Sequence, residues 1–187
     1  LGVTYQNEAS KLYDAGKAVG MFSMACDAGS PEGCAKLAYA LLYGRGIEQD
    51  RARAVELFTA ACNKDGDAFA CRNLGYLYAK GRAVTQDYEQ AVQVFRRACE
   101  GGEMLACNNL AYLYANGRGV NQDLREAREL FEQSCRHDCA VACKNLGFIY
   151  QRGHGVTVDN EQAGYWYALG CRLGLSGACE AHKNLGN

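Results

Sequence analysis

Proline is nearly absent from this 187-residue chain, with a single copy at Pro31, and histidine is scarce, with three copies. Proline is the residue that most reliably breaks a helix, so its near-absence leaves long stretches free to become helical. An excess of charge of one sign is missing too. Twenty Lys and Arg face 21 Asp and Glu, a net charge of −1, and the two signs are mixed along the chain. That balance gives no basic footprint for nucleic acid or for an anionic membrane surface. No run of about 18 apolar residues occurs, which excludes a bilayer-spanning helix. Catalytic and cofactor signatures are also lacking. There is no CXXC couple, no CXXCH haem attachment, no HEXXH, no GXSXG and no P-loop, and His137, His154 and His182 share no ligand spacing. The expectation is a chain without metal or cofactor.

What remains is the composition of a globular protein, 49% hydrophobic and 22% charged, with an unusual number of cysteines, eleven. Ten of them fall into five couples: Cys26/Cys34, Cys62/Cys71, Cys99/Cys107, Cys135/Cys143 and Cys171/Cys179. Both members recur every 36 or 37 residues, and a fixed period in that range signals a repeat architecture. The residues between the couples repeat as well. Cys71-Arg72-Asn73-Leu74-Gly75-Tyr76 stands beside Cys107-Asn108-Asn109-Leu110-Ala111-Tyr112 and Cys143-Lys144-Asn145-Leu146-Gly147-Phe148. Each copy runs into a glycine-containing link, such as Gly44-Arg45-Gly46 or Gly117-Arg118-Gly119. An aspartate follows each link: Asp50, Asp87, Asp123 and Asp159.

These pieces place two helices in each repeat. Cys71, Leu74, Gly75 and Tyr78 form one apolar stripe at helical spacing, and glycine in the link ends that helix as a left-handed C-cap. The aspartate starts the second helix as N-cap, with Gln90, Glu126 and Gln162 three residues on as reciprocal capping-box partners; Arg53 breaks the box in the first copy. Ala91, Val94, Phe95 and Ala98 then carry the second stripe. Small residues such as Gly75 and Ala98 allow close approach of the paired helices. The pattern predicts an all-α solenoid of antiparallel helix pairs running through residues 1–187. It contains a partial repeat 1–30, repeats at about 31–66, 67–103, 104–139 and 140–175, and a partial C-terminal helix 176–187.

Residues 110–123 (LAYLYANGRGVNQD), followed by Ala127 and Phe131, resemble the Sel1-like repeat, a relative of the tetratricopeptide repeat. The CX7C couples are similar to those of the cysteine-rich, Helicobacter-type Sel1 proteins. The resemblance implies a right-handed superhelix whose first helices line a concave face. Each cysteine couple sits where one repeat's second helix meets the next repeat's first helix, at a separation a disulfide can span. Five bridges, Cys26–Cys34, Cys62–Cys71, Cys99–Cys107, Cys135–Cys143 and Cys171–Cys179, are expected, each contributing roughly 2–3 kcal/mol through loop closure. The alternative is that the cysteines are reduced, small core residues. Bridges on this scale imply an oxidising compartment, periplasmic or secreted, with a signal segment expected to have been removed ahead of Leu1. Cys139, four residues from both Cys135 and Cys143, has three further outlets: exchange with that bridge, reactivity beside His137, or an intermolecular bridge. The reading taken is a free thiol in the turn.

The first-helix columns supply candidate binding residues. One column holds Arg72, Asn108 and Lys144, the next Asn73, Asn109 and Asn145, a third Tyr76, Tyr112 and Phe148, and a fourth includes Arg152. Asparagine donates and accepts, so a ladder of them suits the backbone of an extended peptide, and aromatics with arginine are favoured anchors. Packing between repeats is the competing reading for the Asn and aromatic columns alike. The function read from this is a non-catalytic scaffold binding a protein or extended peptide on its concave face, with a monomer favoured. Two alternatives stand beside it. One is an immunity-type inhibitor of a secreted toxin. The other is a penicillin- or peptidoglycan-binding protein with weak β-lactamase-like activity, as the resemblance implies for cysteine-rich members. Against the last, no serine is followed at the SXXK position by lysine. Ser134 and His137, the one close Ser/His couple, read as residues of a solvated turn.

Overall fold

A computed structural model describes residues 2–185, with side chains described at 15–64 and 66–185. Ten helices and no strands occur among them. The contacts divide the chain into two compact units, residues 1–87 and 88–187. In the first unit α1 (Gly2–Asp27), α2 (Pro31–Tyr43), α3 (Arg51–Asp65) and α4 (Ala68–Lys80) pack each on the next, and α2 also touches α4. The second unit stacks α5 (Tyr88–Glu100), α6 (Met104–Asn116), α7 (Leu124–Arg136), α8 (Ala140–Arg152), α9 (Asn160–Arg172) and α10 (Ser176–Leu185) in the same consecutive way, with α8 also against α10. Short connections between packed helices make consecutive neighbours antiparallel.

The apolar stripes do the packing. Ala70, Cys71, Leu74 and Leu77 of α4 are buried, as are Ala91, Val94, Phe95 and Ala98 of α5. In the second unit Phe131, Cys135, Cys143, Leu146, Ile149 and Trp166 form one core with Ala111 and Ala127. Disulfides join all five couples, with Cα–Cα distances of 4.4–4.8 Å. Each closes the junction between a second helix and the following first helix: α1–α2, α3–α4, α5–α6, α7–α8 and α9–α10.

The links follow one plan. Gly44, Gly81, Gly117 and Gly153 end the first helices with φ of 60–69°. Asp50, Asp123 and Asp159 cap α3, α7 and α9 by accepting from backbone N–H groups three residues on. The reciprocal half of the capping box expected of Glu126 and Gln162 does not form among the described residues. The backbone N–H groups of Asp50, Asp87, Asp123 and Asp159 donate instead to the carbonyls of Leu41, Tyr78, Tyr114 and Tyr150. The glutamine before three of these aspartates adds a second tie: Gln49, Gln86 and Gln122 Nε2 donate to Leu42, Ala79 and Ala115 carbonyls at 2.8–3.0 Å. Each link is thereby folded back onto the helix it leaves, satisfying carbonyls that the helix end would otherwise orphan. Val158 takes the glutamine's place in the fourth link and is exposed.

Candidate functional site

The third first-helix column has a recurrent cationic neighbour. The arginine of each Gly-Arg link lies over the ring six positions before it: Arg45 over Tyr39 at 5.2 Å, Arg82 over Tyr76 at 5.7 Å and Arg118 over Tyr112 at 5.6 Å. In the fourth copy His154 meets Phe148 edge-on at 5.4 Å, and Arg152 covers the ring at 5.8 Å. These are cation–π distances, and they fix the ring orientations without burying the rings. Tyr112 and Phe148 remain 47% and 45% exposed.

In the second unit those rings line a cavity of about 460 Å3, together with Asn116, Gln122, Leu124, Phe131, Asn145 and His154. The first helices contribute Tyr112, Asn116, Asn145 and Phe148; α7 contributes Leu124 and Phe131, and the links Gln122 and His154. In the first unit a cavity of about 400 Å3 is lined by Tyr43, Gln49, Arg51, Tyr76, Arg82 and their neighbours. Tyr112, Asn145, Phe148 and Tyr76 are thus the expected binding residues that the fold gathers into cavities.

The asparagine column behaves differently. Asn73 is buried, and its Nδ2 donates to Phe69 O at 2.7 Å within its own helix. Asn108 is also buried. It accepts from Asn145 Nδ2 at 2.9 Å and donates to Asn109 Oδ1 at 3.3 Å, tying α8 to α6. Asn73 and Asn108 therefore do not stand clear of the packed surface as the column reading placed them; their amides are spent on the frame, as buried polar groups must be. Arg72 lies over Phe69 at 5.0 Å. The exposed Lys144 side chain reaches Gly177 of α10, and Arg152 is exposed. Arg152 also opposes, by its charge, the rise in the pKa of Tyr167 that burial causes. The Tyr167 hydroxyl donates to Gln151 at 2.8 Å, and its ring fills the space a side chain at Gly147 would need. Glu32 is held below the usual carboxylate range by its hydrogen bond to Lys36.

The Ser134–His137 couple is not in a solvated turn. Ser134 is fully buried in α7, and its Oγ donates to Met104 O at 2.6 Å. Only His137 is exposed, with Nδ1 2.9 Å from Gln133 O. Cys139 is unbonded and does lie in the turn before α8, but its side chain is buried in the core of the second unit. Among the described residues no three His, Cys, Asp or Glu side chains gather as a metal site, and no helix is long and apolar enough to cross a membrane. Arg51 and Leu124, which start α3 and α7, and the link residues Arg82 and His154 were missed by the column reading. The recurrence of arginine six residues after the column aromatic is the signal that marks two of these positions, 82 and 154.

Antiparallel helix pairs, a 36-residue period, stapled junctions and open cavities beside the first helices define a helical-repeat scaffold. A family model for the Sel1 repeat matches residues 1–30, 31–66, 68–103, 105–139 and 140–175, and the chain belongs to the Sel1 repeat family. It is similar to a Sel1 repeat protein from Oxalobacter formigenes, at 30% identity and a TM-score of 0.81 over 88% of this chain and 66% of that one. It is also similar to c5321, a protective antigen of uropathogenic Escherichia coli displaying an SLR fold. The identity is 27% and the TM-score 0.79, covering 91% of this chain and 36% of that one. The cysteine-rich protein B of Helicobacter pylori matches at 26% identity and a TM-score of 0.56, over 71% of this chain and 94% of its own. This chain therefore spans less than two thirds of the length of the first two. No curated protein matches it in sequence. The fold is the all-α Sel1 solenoid, and Sel1 repeats build scaffolds for protein–protein interaction.

Proposed function

We propose that this protein is a non-catalytic scaffold of the periplasm or the extracellular space that holds an extended segment of a partner protein against its first helices. The observation that carries this reading is the cavity of about 460 Å3 with Tyr112 and Phe148 half exposed on its rim. Large rings in open cavities are the anchors that interfaces favour, and here they stand on a frame pre-organised by disulfides, which lowers the entropy cost of binding. Asn145 lines the same cavity beside them. Five bridges support an oxidising location. The burial of Ser134 and the lack of a lysine three positions after any serine speak against acylation by a penicillin.

Peptide display on the immobilised, oxidised protein tests the reading. Selection is expected to enrich a recurrent motif with an aromatic residue, and binding of the selected peptides should fall at least tenfold in a Tyr112→Ala, Phe148→Ala double variant that keeps its helical circular dichroism. Enrichment of no motif, or equal binding by the folded variant, would overturn it.

A further inference from the structure

The cavity of the first unit has a chemistry of its own. Arg51, the first residue of α3, and Arg82, in the link after α4, both line it, together with Tyr43 and Tyr76. A third guanidinium, that of Arg45, sits 5.7 Å over the Tyr43 ring. No Asp or Glu lines the cavity, and neither Arg51 nor Arg82 has a carboxylate partner among the described residues.

The nearby acids are otherwise placed. Glu32 is paired with Lys36 at 2.6 Å, and Asp50 and Asp67 accept backbone N–H groups at the starts of α3 and α4. Glu48 lines, with Asp50 and Arg53, an adjoining groove that shares Gln49 and Arg51 with the cavity, and it forms no ion pair with Arg51. The N-terminus of α3 adds the positive end of a 15-residue helix beside Arg51. A site that collects unpaired guanidinium groups around tyrosine rings, inside a chain of net charge −1, is electrostatically complementary to carboxylate.

We propose that the first-unit cavity is an acid-reading subsite, in which a side-chain carboxylate from an acidic run of the partner segment seats between Arg51 and Arg82. This rests on the peptide-binding reading and specifies the partner's composition. Several cations gather at the cavity rather than one: Arg51 and Arg82 line it, and Arg45 lies over the Tyr43 ring. That number suits a run of Asp and Glu better than the single carboxylate of a chain end. Tyr43 and Tyr76 give an aromatic residue within the run a surface to pack on.

The test is fluorescence polarisation with three labelled nonapeptides of one length: an amidated peptide with Asp and Glu around a central Tyr, its Asn/Gln counterpart, also amidated, and that neutral peptide with a free C-terminal carboxylate. The acidic peptide is expected to bind at least tenfold tighter than either neutral one. Its affinity should fall at least tenfold in an Arg51→Gln, Arg82→Gln double variant and with rising salt. The Arg51→Lys, Arg82→Lys variant, which keeps the charge, should recover part of the loss. An Arg53→Gln variant controls for general surface charge and should bind as the parent does.

Equal binding of the acidic and the amidated neutral peptide, with loss only in Tyr112→Ala, Phe148→Ala, would overturn the acid subsite and leave peptide binding standing. Preference for the free chain end, or an unaltered affinity in the double Gln variant, would also overturn it. Binding of none of the three overturns it too, and the display selection then decides separately whether the scaffold reading falls.

Discussion

The two cavities occupy equivalent places two repeats apart, yet they are lined by opposite chemistry. Gln49 and Gln122 tie the same point of the link, and Tyr76 and Phe148 present the same ring position. Where the first unit has Arg51 and Arg82, the second has Leu124 and His154. The frame residues persist between the copies while the lining residues change. The difference teaches that in this array position is set by helix stripes and link ties, while the lining of a cavity changes at a few residues in the links and at the starts of the second helices. One link also departs from the others. Its second glycine is kept as Gly46, Gly119 and Gly155 in three links, whereas the link after α4 has Ala83 at φ 64°.

Reduction offers the broadest way to break the comparison. With roughly 2–3 kcal/mol expected from each eight- or nine-residue closure, reducing and alkylating all five bridges should lower Tm strongly or abolish cooperative unfolding in both units. Thermal melts followed by circular dichroism check it, and an unchanged Tm would remove the bridges from the frame. Mass spectrometry before reduction should find a single alkylated cysteine, Cys139, and only after unfolding, because its thiol is buried.

The link glycines give a sharper and smaller contrast. A Cβ on Gly119 would run into the Tyr88 carbonyl in a left-handed conformation, so Gly119→Ala should cost roughly 2–4 kcal/mol. Ala83→Gly should run the other way, gaining about 0.5–1 kcal/mol, because relief of the positive φ outweighs the extra chain entropy that glycine loses on folding. Chemical denaturation of the two variants measures both. Same-sign effects would mean that the two links are not equivalent.

A comparably small effect concerns the missing tie. Val158 is exposed where three other links place a glutamine, so Val158→Gln should add about 0.5–1 kcal/mol by bonding the end of α8, again read by denaturation. No gain would show that the aspartate N–H tie alone holds the link.

The repeat, the helix pairs and the bridge partners were legible in the sequence, because cysteine spacing and apolar stripes are periodic signals. The link ties were not. An N-cap aspartate can receive its glutamine or glutamate partner locally or give its N–H to the previous helix, and only the path of the link decides between them. The aromatic column was legible as Tyr76, Tyr112 and Phe148. The burial of Asn73 and Asn108 was not, since an amide serves a frame and a ligand equally well. Arg51 and Leu124 start second helices, outside any column drawn along the first ones, and come beside them only through the folding-back of the link.

Every bridge joins cysteines eight or nine residues apart, and each lies across a junction rather than within a repeat. A duplication or deletion of one period, begun at any point between two bridges, therefore carries whole couples and strands no thiol. Each hairpin can also be locked as soon as its own few residues meet an oxidant, without waiting for distant sequence. An array built in this way can change length over evolutionary time while its oxidative assembly stays the same.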